Sequence, residues 1–130
     1  MKKSLVIIPT YNEIENISLM IDTVFSISKE ISILIVDDSS PDGTSKKVES
    51  LMLQYQNRLF LLERREKRGL GTAYIAGFKW GLQKSYEYFF QMDCDFSHNP
   101  NDLIRLYSML QEKDIDLCIG SRYVSGINVV

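Results

Sequence analysis

The residues that could do chemistry fall into a few short clusters. Asp93-Cys94-Asp95 sets two carboxylates two positions apart at the end of an apolar run. In an extended segment such residues point the same way, so both could face one cation while Cys94 turns inward as a small apolar spacer. Hard oxygen donors of this kind suit Mg²⁺ or Mn²⁺, which keep bound waters and bridge to substrate phosphates. An acidic loop start without a ligand fits the same pattern. Asp37 and Asp38 close a second apolar run, about where a nucleotide ribose or base lies in a doubly wound sheet. A carboxylate there could accept hydrogen bonds from hydroxyls or base N–H groups. The following Ser39-Ser40-Pro41-Asp42-Gly43 carries strong turn chemistry, so a turn and N-cap cluster is the other reading, and Asp42-Gly43 is assigned to the turn alone. Arg122, in Gly120-Ser121-Arg122-Tyr123, could clamp a diphosphate through two parallel hydrogen bonds or be an ordinary surface arginine.

Other patterns carry less. Gly69-Leu70-Gly71-Thr72 falls short of G-x-G-x-x-G, because position 74 is Tyr, and no P-loop motif is present. It reads either as a tight turn into a helix or as a loop that closes over substrate. The run from Arg64 to Arg68 is mixed in sign and reads as a solvated loop whose cations could also meet an anionic lipid head group. His98 is the only histidine, and no nucleophile motif accompanies it, which argues against a hydrolase triad.

Strands and helices must bring these clusters together. Ser4–Ile8, Ile31–Val36, Leu59–Leu62, Tyr88–Met92 and Asp116–Gly120 predict strands, the first of them an apolar and β-branched run that suits burial on both faces. Between them the period changes. Ile14, Ile17, Ile21, Val24 and Phe25 recur at helical spacing from Glu13 onward, and so do Val48, Leu51, Met52 and Tyr55. Ile75, Phe78 and Leu82 predict the buried stripe of a third helix. Leu103, Leu106, Tyr107 and Leu110, after Asn99-Pro100, predict that of a fourth. Strands alternating with helices predict an α/β, Rossmann-like domain, with a mostly parallel sheet covered on both faces and ligands outside the carboxyl ends of the strands. Segments 9–13, 37–44, 92–98 and 120–123 then share one sheet edge.

The chain has 130 residues, 15 Lys+Arg against 17 Asp+Glu, and 45% hydrophobic residues, which describes one soluble domain with a real core. A net charge of -2 gives no broad basic field, so duplex nucleic acid is not expected as a partner. Cys94 and Cys118 fit neither a redox nor a zinc spacing and read as reduced, buried thiols of a cytosolic protein. The amino-terminal apolar stretch is too short for a signal peptide, and no run approaches the ~20 residues that cross a bilayer.

Taken together, PTYNE, VDDSSPDGT, GLGTAYIAGF, MDCDFSHNP and GSRY resemble, in order and spacing, the polyprenol (dolichyl) phosphate mannosyltransferases, inverting glycosyltransferases of GT-A fold. The resemblance runs from Ser4 to Gly126. It implies a GT-A domain in which Pro9, Tyr11, Glu13, Val36 and Asp38 line the nucleotide pocket. Asp93, Cys94 and Asp95 would meet the sugar-diphosphate, with Asp93 and Asp95 holding Mg²⁺ or Mn²⁺, and Arg122 would reach the phosphates. Asp95 and Arg122 are then the residues expected to carry catalysis. The family usually has Ala in place of Cys94, and some relatives have a metal-contacting Gln in place of Ser97. The implied reaction moves mannose from GDP-mannose to polyprenyl phosphate at the cytoplasmic face of a membrane. A related enzyme using UDP-glucose or another nucleotide sugar, and a nucleotide-sugar binding fragment without turnover, are the alternatives. Family members continue beyond the GSRY segment, so residues 1–130 are expected to be one catalytic domain truncated on its acceptor side, with apolar surface left open for self-association near Ile127, Val129 and Val130.

Overall fold

The computed structural model describes residues 1–66, 68–112, 114–120, 123–124 and 127–128. Four strands, β1 (Ser4–Thr10), β2 (Ser32–Asp37), β3 (Leu59–Glu63) and β4 (Tyr88–Gln91), form a wholly parallel sheet in the order β3-β2-β1-β4. The helices α1 (Ile17–Ile27), α2 (Thr44–Gln54), α3 (Leu70–Gln83) and α4 (Asp102–Leu110) connect or follow them. The side-chain alternation of β1 divides the core. Val6 and Ile8 face one layer, with Ile17, Ile21, Val24, Val48, Leu51 and Leu103. Leu5 and Ile7 face the other, with Leu34, Val36, Ala73 and Tyr74. Helices α1, α2 and α4 therefore cover one face and α3 the opposite one, which is why the two central strands read as unbroken apolar runs.

Three expectations change. Helix α1 starts at Ile17 rather than near Glu13, because the Glu13 carbonyl accepts the N–H groups of both Asn16 and Ile17 in a preceding turn. Ile14 is left partly exposed outside the stripe. On α3, the predicted Ile75 and Leu82 are 53% and 65% exposed, and the buried residues are Ala73, Tyr74, Gly77 and Gly81. Small residues at four-residue steps let the helix axis approach the sheet. A Cβ on Gly77 would stand 2.6 Å from Ile7 Cγ2, and one on Gly81 would stand 2.4 Å from Phe89 Cε1 and 2.8 Å from Leu5 Cδ2. Gly81→Ala is therefore expected to lower stability by about 1 kcal/mol, since overpacking of roughly 1–3 kcal/mol is only partly offset by the gain of about 1 kcal/mol in helix propensity. Denaturant unfolding would measure it, and an unchanged or raised midpoint would show that the sheet yields.

The third change is at Asp116–Gly120, which forms no strand. Among the described residues no backbone hydrogen bond pairs residues 115–120 with the free edge of β4, and Leu117 and Ile119 are each 77% exposed. An apolar run becomes a strand only when a neighbour accepts its ladder and covers its face. A separate antiparallel pair, β5 (Tyr123–Val124) and β6 (Ile127–Asn128), lies beyond it. Both cysteines are free thiols, Cys94 buried and Cys118 half-buried. Among the described residues no helix is long and apolar enough to cross a membrane.

Candidate functional site

Loops at the carboxyl edge of the sheet enclose a cleft of about 300 Å³, lined by Pro9, Thr10, Tyr11 and Glu13 after β1, Asp38 after β2, Gly69, Leu70 and Ala73 at the start of α3, and Asp93, Cys94 and Asp95 after β4. Of the residues expected at the site, all but two are brought together here. Val36 is fully buried, with its side chain packed in the α3-facing core, and does not line the cleft. Arg122 lies outside the described residues.

The first two loops are stitched together by side chains that also cap the turn. Asp37 is nearly inaccessible and accepts hydrogen bonds from Thr10 Oγ1 at 2.6 Å, Ser40 Oγ at 2.6 Å and Ser40 N–H at 3.0 Å. Its role is to close the turn and fasten β1 to it. Ser40 Oγ accepts from Asn12 N–H at 2.9 Å, Thr44 Oγ1 from Glu13 N–H at 3.1 Å, and Asp42 Oδ2 from Ile14 N–H at 3.1 Å. Asp42 thus does more than serve its own turn, because it also holds the segment that carries Tyr11 and Glu13.

Asp38 is paired. Arg64 Nε and Nη2 donate to Asp38 Oδ1 and Oδ2 at 2.6 and 2.7 Å, a two-pronged contact with both side chains largely buried at 14% and 8% exposure. The same guanidinium donates to Thr72 Oγ1 at 3.0 Å and to the Gly69 carbonyl at 3.3 Å. The hydrogen bond to Asp38 raises the Arg64 pKa further above its already high value. Arg64 therefore leaves the solvated run in which the sequence places it, while Arg65, Glu66 and Arg68 remain exposed. A sequence-level signal existed, since Arg64 directly follows a strand at the ligand edge.

The Asp93-Cys94-Asp95 segment is a turn after β4 and not the extended stretch expected from its position. Cys94 still points inward, 2% exposed in the core, and burial, with the charges of Glu13, Asp95 and Asp93, pushes its thiol up to about 12. It is an inert packing group. Asp95 accepts the Ser97 N–H at 2.9 Å across Phe96, whose φ of 63° is in the left-handed region. Hydrogen bonds from Ser97 hold the Asp95 carboxyl below the usual carboxylate range. Asp93 Oδ1 accepts from Tyr74 Oη at 2.9 Å, and Asp93 N–H donates to Nδ1 of His98 at 3.3 Å, which gives that histidine a structural task.

Among the described residues no three His, Cys, Asp or Glu side chains converge as a ready metal cage. Two cleft carboxylates nonetheless fit a hard divalent ion of the kind that takes one or two protein oxygens and completes its shell with water and substrate phosphates.

Residues 5–130 match the family model described as glycosyl transferase family 2. The chain belongs to this family. It is 46% identical over 125 residues to the polyprenol monophosphomannose synthase of Mycolicibacterium smegmatis, covering 96% of this chain and 47% of that protein. It is 44% identical over 126 residues to the undecaprenyl-phosphate mannosyltransferase of Micrococcus luteus, covering 97% and 51%. The chain spans about half the length of these curated relatives. Its fold superposes, with a TM-score of 0.74 and 25% identity over 85% of this chain and 33% of the other, on a mannosyltransferase from Pyrobaculum calidifontis in complex with GDP-Man and Mn²⁺. The parallel sheet flanked by helices is thus the GT-A fold that the sequence implies.

Proposed function

We propose that the protein transfers mannose from GDP-mannose to the phosphate of a polyprenyl phosphate, with inversion at the anomeric carbon. The observation that carries this reading is one cleft in which Asp38 from β2 and the two aspartates after β4 flank the loop after β1, the arrangement needed to take a nucleotide at one strand end and its diphosphate at another. Support comes from the names of the two relatives, both of which describe polyprenyl acceptors, and from the GDP-Man and Mn²⁺ of the structural neighbour.

In this reading a phosphate oxygen of the acceptor attacks the anomeric carbon as the bond from that carbon to the diphosphate oxygen breaks, releasing GDP. A phosphate monoester has a second pKa of about 6 and is mostly dianionic at neutral pH, so no side chain has to remove a proton. What the chain must do is bind, orient and neutralise. Asp38, held by Arg64, presents a fixed carboxylate to the nucleoside, while Tyr11 and Glu13 close the same end of the cleft. Asp93 and Asp95 would hold Mg²⁺ or Mn²⁺, which when bound neutralises the charge building on the leaving diphosphate. Arg122 is assigned to the same phosphates as a positively charged clamp. Because the acceptor is a lipid, the protein is placed at a membrane surface, on the cytoplasmic face, as a peripheral component.

Titration calorimetry with GDP and with UDP, each in the presence of Mn²⁺, tests the donor, and transfer of labelled mannose to polyprenyl phosphate in vesicles tests the reaction. GDP is expected to bind at least about tenfold more tightly than UDP, a difference of 1.4 kcal/mol. Equal affinities, or a preference for UDP, would overturn the assignment of the donor.

A further inference from the structure

The first two turns of α3 touch both halves of the cleft. On one side, Thr72 and the Gly69 carbonyl take the guanidinium that holds Asp38. On the other, the Tyr74 hydroxyl reaches Asp93. The tyrosine that makes the second contact cannot easily move. Its ring is 8% exposed and packed with Leu5, Ile7, Leu34, Val36 and Ala73, and Gly77 one turn later lets α3 sit against Ile7. The Tyr74 hydroxyl donates to Asp93 Oδ1 at 2.9 Å. Asp93 lines the cleft, so this hydroxyl fixes one oxygen of the carboxylate from the rigid side of the site while the residue itself borders the space for a ligand.

We propose that Tyr74 is a positioning residue, whose hydroxyl fixes the Asp93 carboxylate in the orientation from which it meets the metal-bound diphosphate of the nucleotide sugar. This rests on the reading of the cleft given above. It assigns to α3 a task beyond the turn or closing loop that its glycines suggest: one rigid helix start sets the carboxylate after β2, through Arg64, and the carboxylate after β4, through Tyr74. A purely structural tyrosine would also seek an acceptor for its buried hydroxyl, so the two roles must be separated by measurement.

The test is GDP affinity with and without Mn²⁺, measured alongside thermal unfolding. Tyr74→Phe keeps the ring and its packing. It is expected to shrink the Mn²⁺-dependent gain in GDP affinity by about tenfold, the scale of one hydrogen bond to a charged group, while metal-free GDP affinity and the unfolding midpoint stay unchanged. In an Asp93→Asn background the same substitution should have no further effect on the gain, because the group it positions is gone. A lowered midpoint with an undiminished Mn²⁺ gain would overturn the proposal and leave the hydroxyl a structural one, as would a Tyr74→Phe effect that persists in full without the Asp93 carboxylate. Absence of any Mn²⁺ gain in the unsubstituted protein would overturn the reading of the site and this role with it. Failure to transfer mannose despite that gain would count against the proposed reaction alone.

Discussion

Replacing Asp95 with alanine is expected to abolish the Mn²⁺-dependent part of nucleotide-sugar affinity while the protein stays folded. The carboxylate is exposed at the cleft, and its contacts with Ser97 are local to the turn, so its loss should cost no more than about 1 kcal/mol of stability. Its contribution to metal binding is of another order. Asp93 and Asp95 are the two cleft carboxylates proposed to hold a divalent ion, and removing one leaves only Asp93 against the ion's hydration shell. Hydrogen bonds from Ser97 keep Asp95 below the usual carboxylate range, so it is ionised at neutral pH. Metal binding that depends on this carboxylate is retained above its pKa and lost as pH falls through it. Titration of Asp95 should therefore leave the Mn²⁺ gain of the unsubstituted protein unchanged between about pH 6 and 8. Calorimetric titration with and without Mn²⁺, alongside a thermal melt, measures both halves of the expectation. Unchanged Mn²⁺-dependent affinity in Asp95→Ala would remove the metal role.

What the sequence made legible was mostly what local patterning controls. Val6 to Ile8 and Ile33 to Val36 are apolar at every position because helices cover both faces, and such runs announce a parallel sheet. Since strand ends in that sheet are also where ligands bind, placing PTYNE, Asp38 and Asp93–Asp95 on one edge followed from strand order alone. The departures share a cause, which is contact between residues distant in sequence. On α3, hydrophobicity picked Ile75 and Leu82, but close approach to Ile7 and Phe89 selects small residues, so the face with glycines is the buried one. Asp116–Gly120 has the composition of a strand, but among the described residues no backbone hydrogen bond pairs it with a neighbour. Val36 and Asp38 share a parity, but Val36 lies within β2, where the α3-side core covers it, whereas Asp38 lies past the strand's end and lines the cleft. Arg64 looked like one charge among several, because nothing local distinguishes a buried guanidinium from a solvated one until its acceptor across β2 and β3 is known.

That guanidinium is where the largest loss of stability is expected. Arg64→Ala should destabilise the fold by about 3 kcal/mol and lower the unfolding midpoint by roughly 10 °C, because it takes both charged contacts from the Asp38 carboxylate, which is 8% exposed. The loss also releases Thr72 and the Gly69 carbonyl, and with them the start of α3 that borders the cleft. Nucleotide affinity should fall as well, since the carboxylate proposed to meet the nucleoside would no longer be held. Arg64→Lys should recover only part of either property, because an ammonium cannot make the two parallel contacts. Adding Asp38→Asn to Arg64→Ala separates the causes. Removing the Asp38 charge should restore much of the stability, as replacing both members of a buried pair is far cheaper than removing one. It should not restore nucleotide affinity, because the ligand-facing carboxylate is then absent. A midpoint that does not move in Arg64→Ala would show that the pair is worth no more than an ordinary surface ion pair, and would take away the argument that Arg64 holds Asp38 for its ligand.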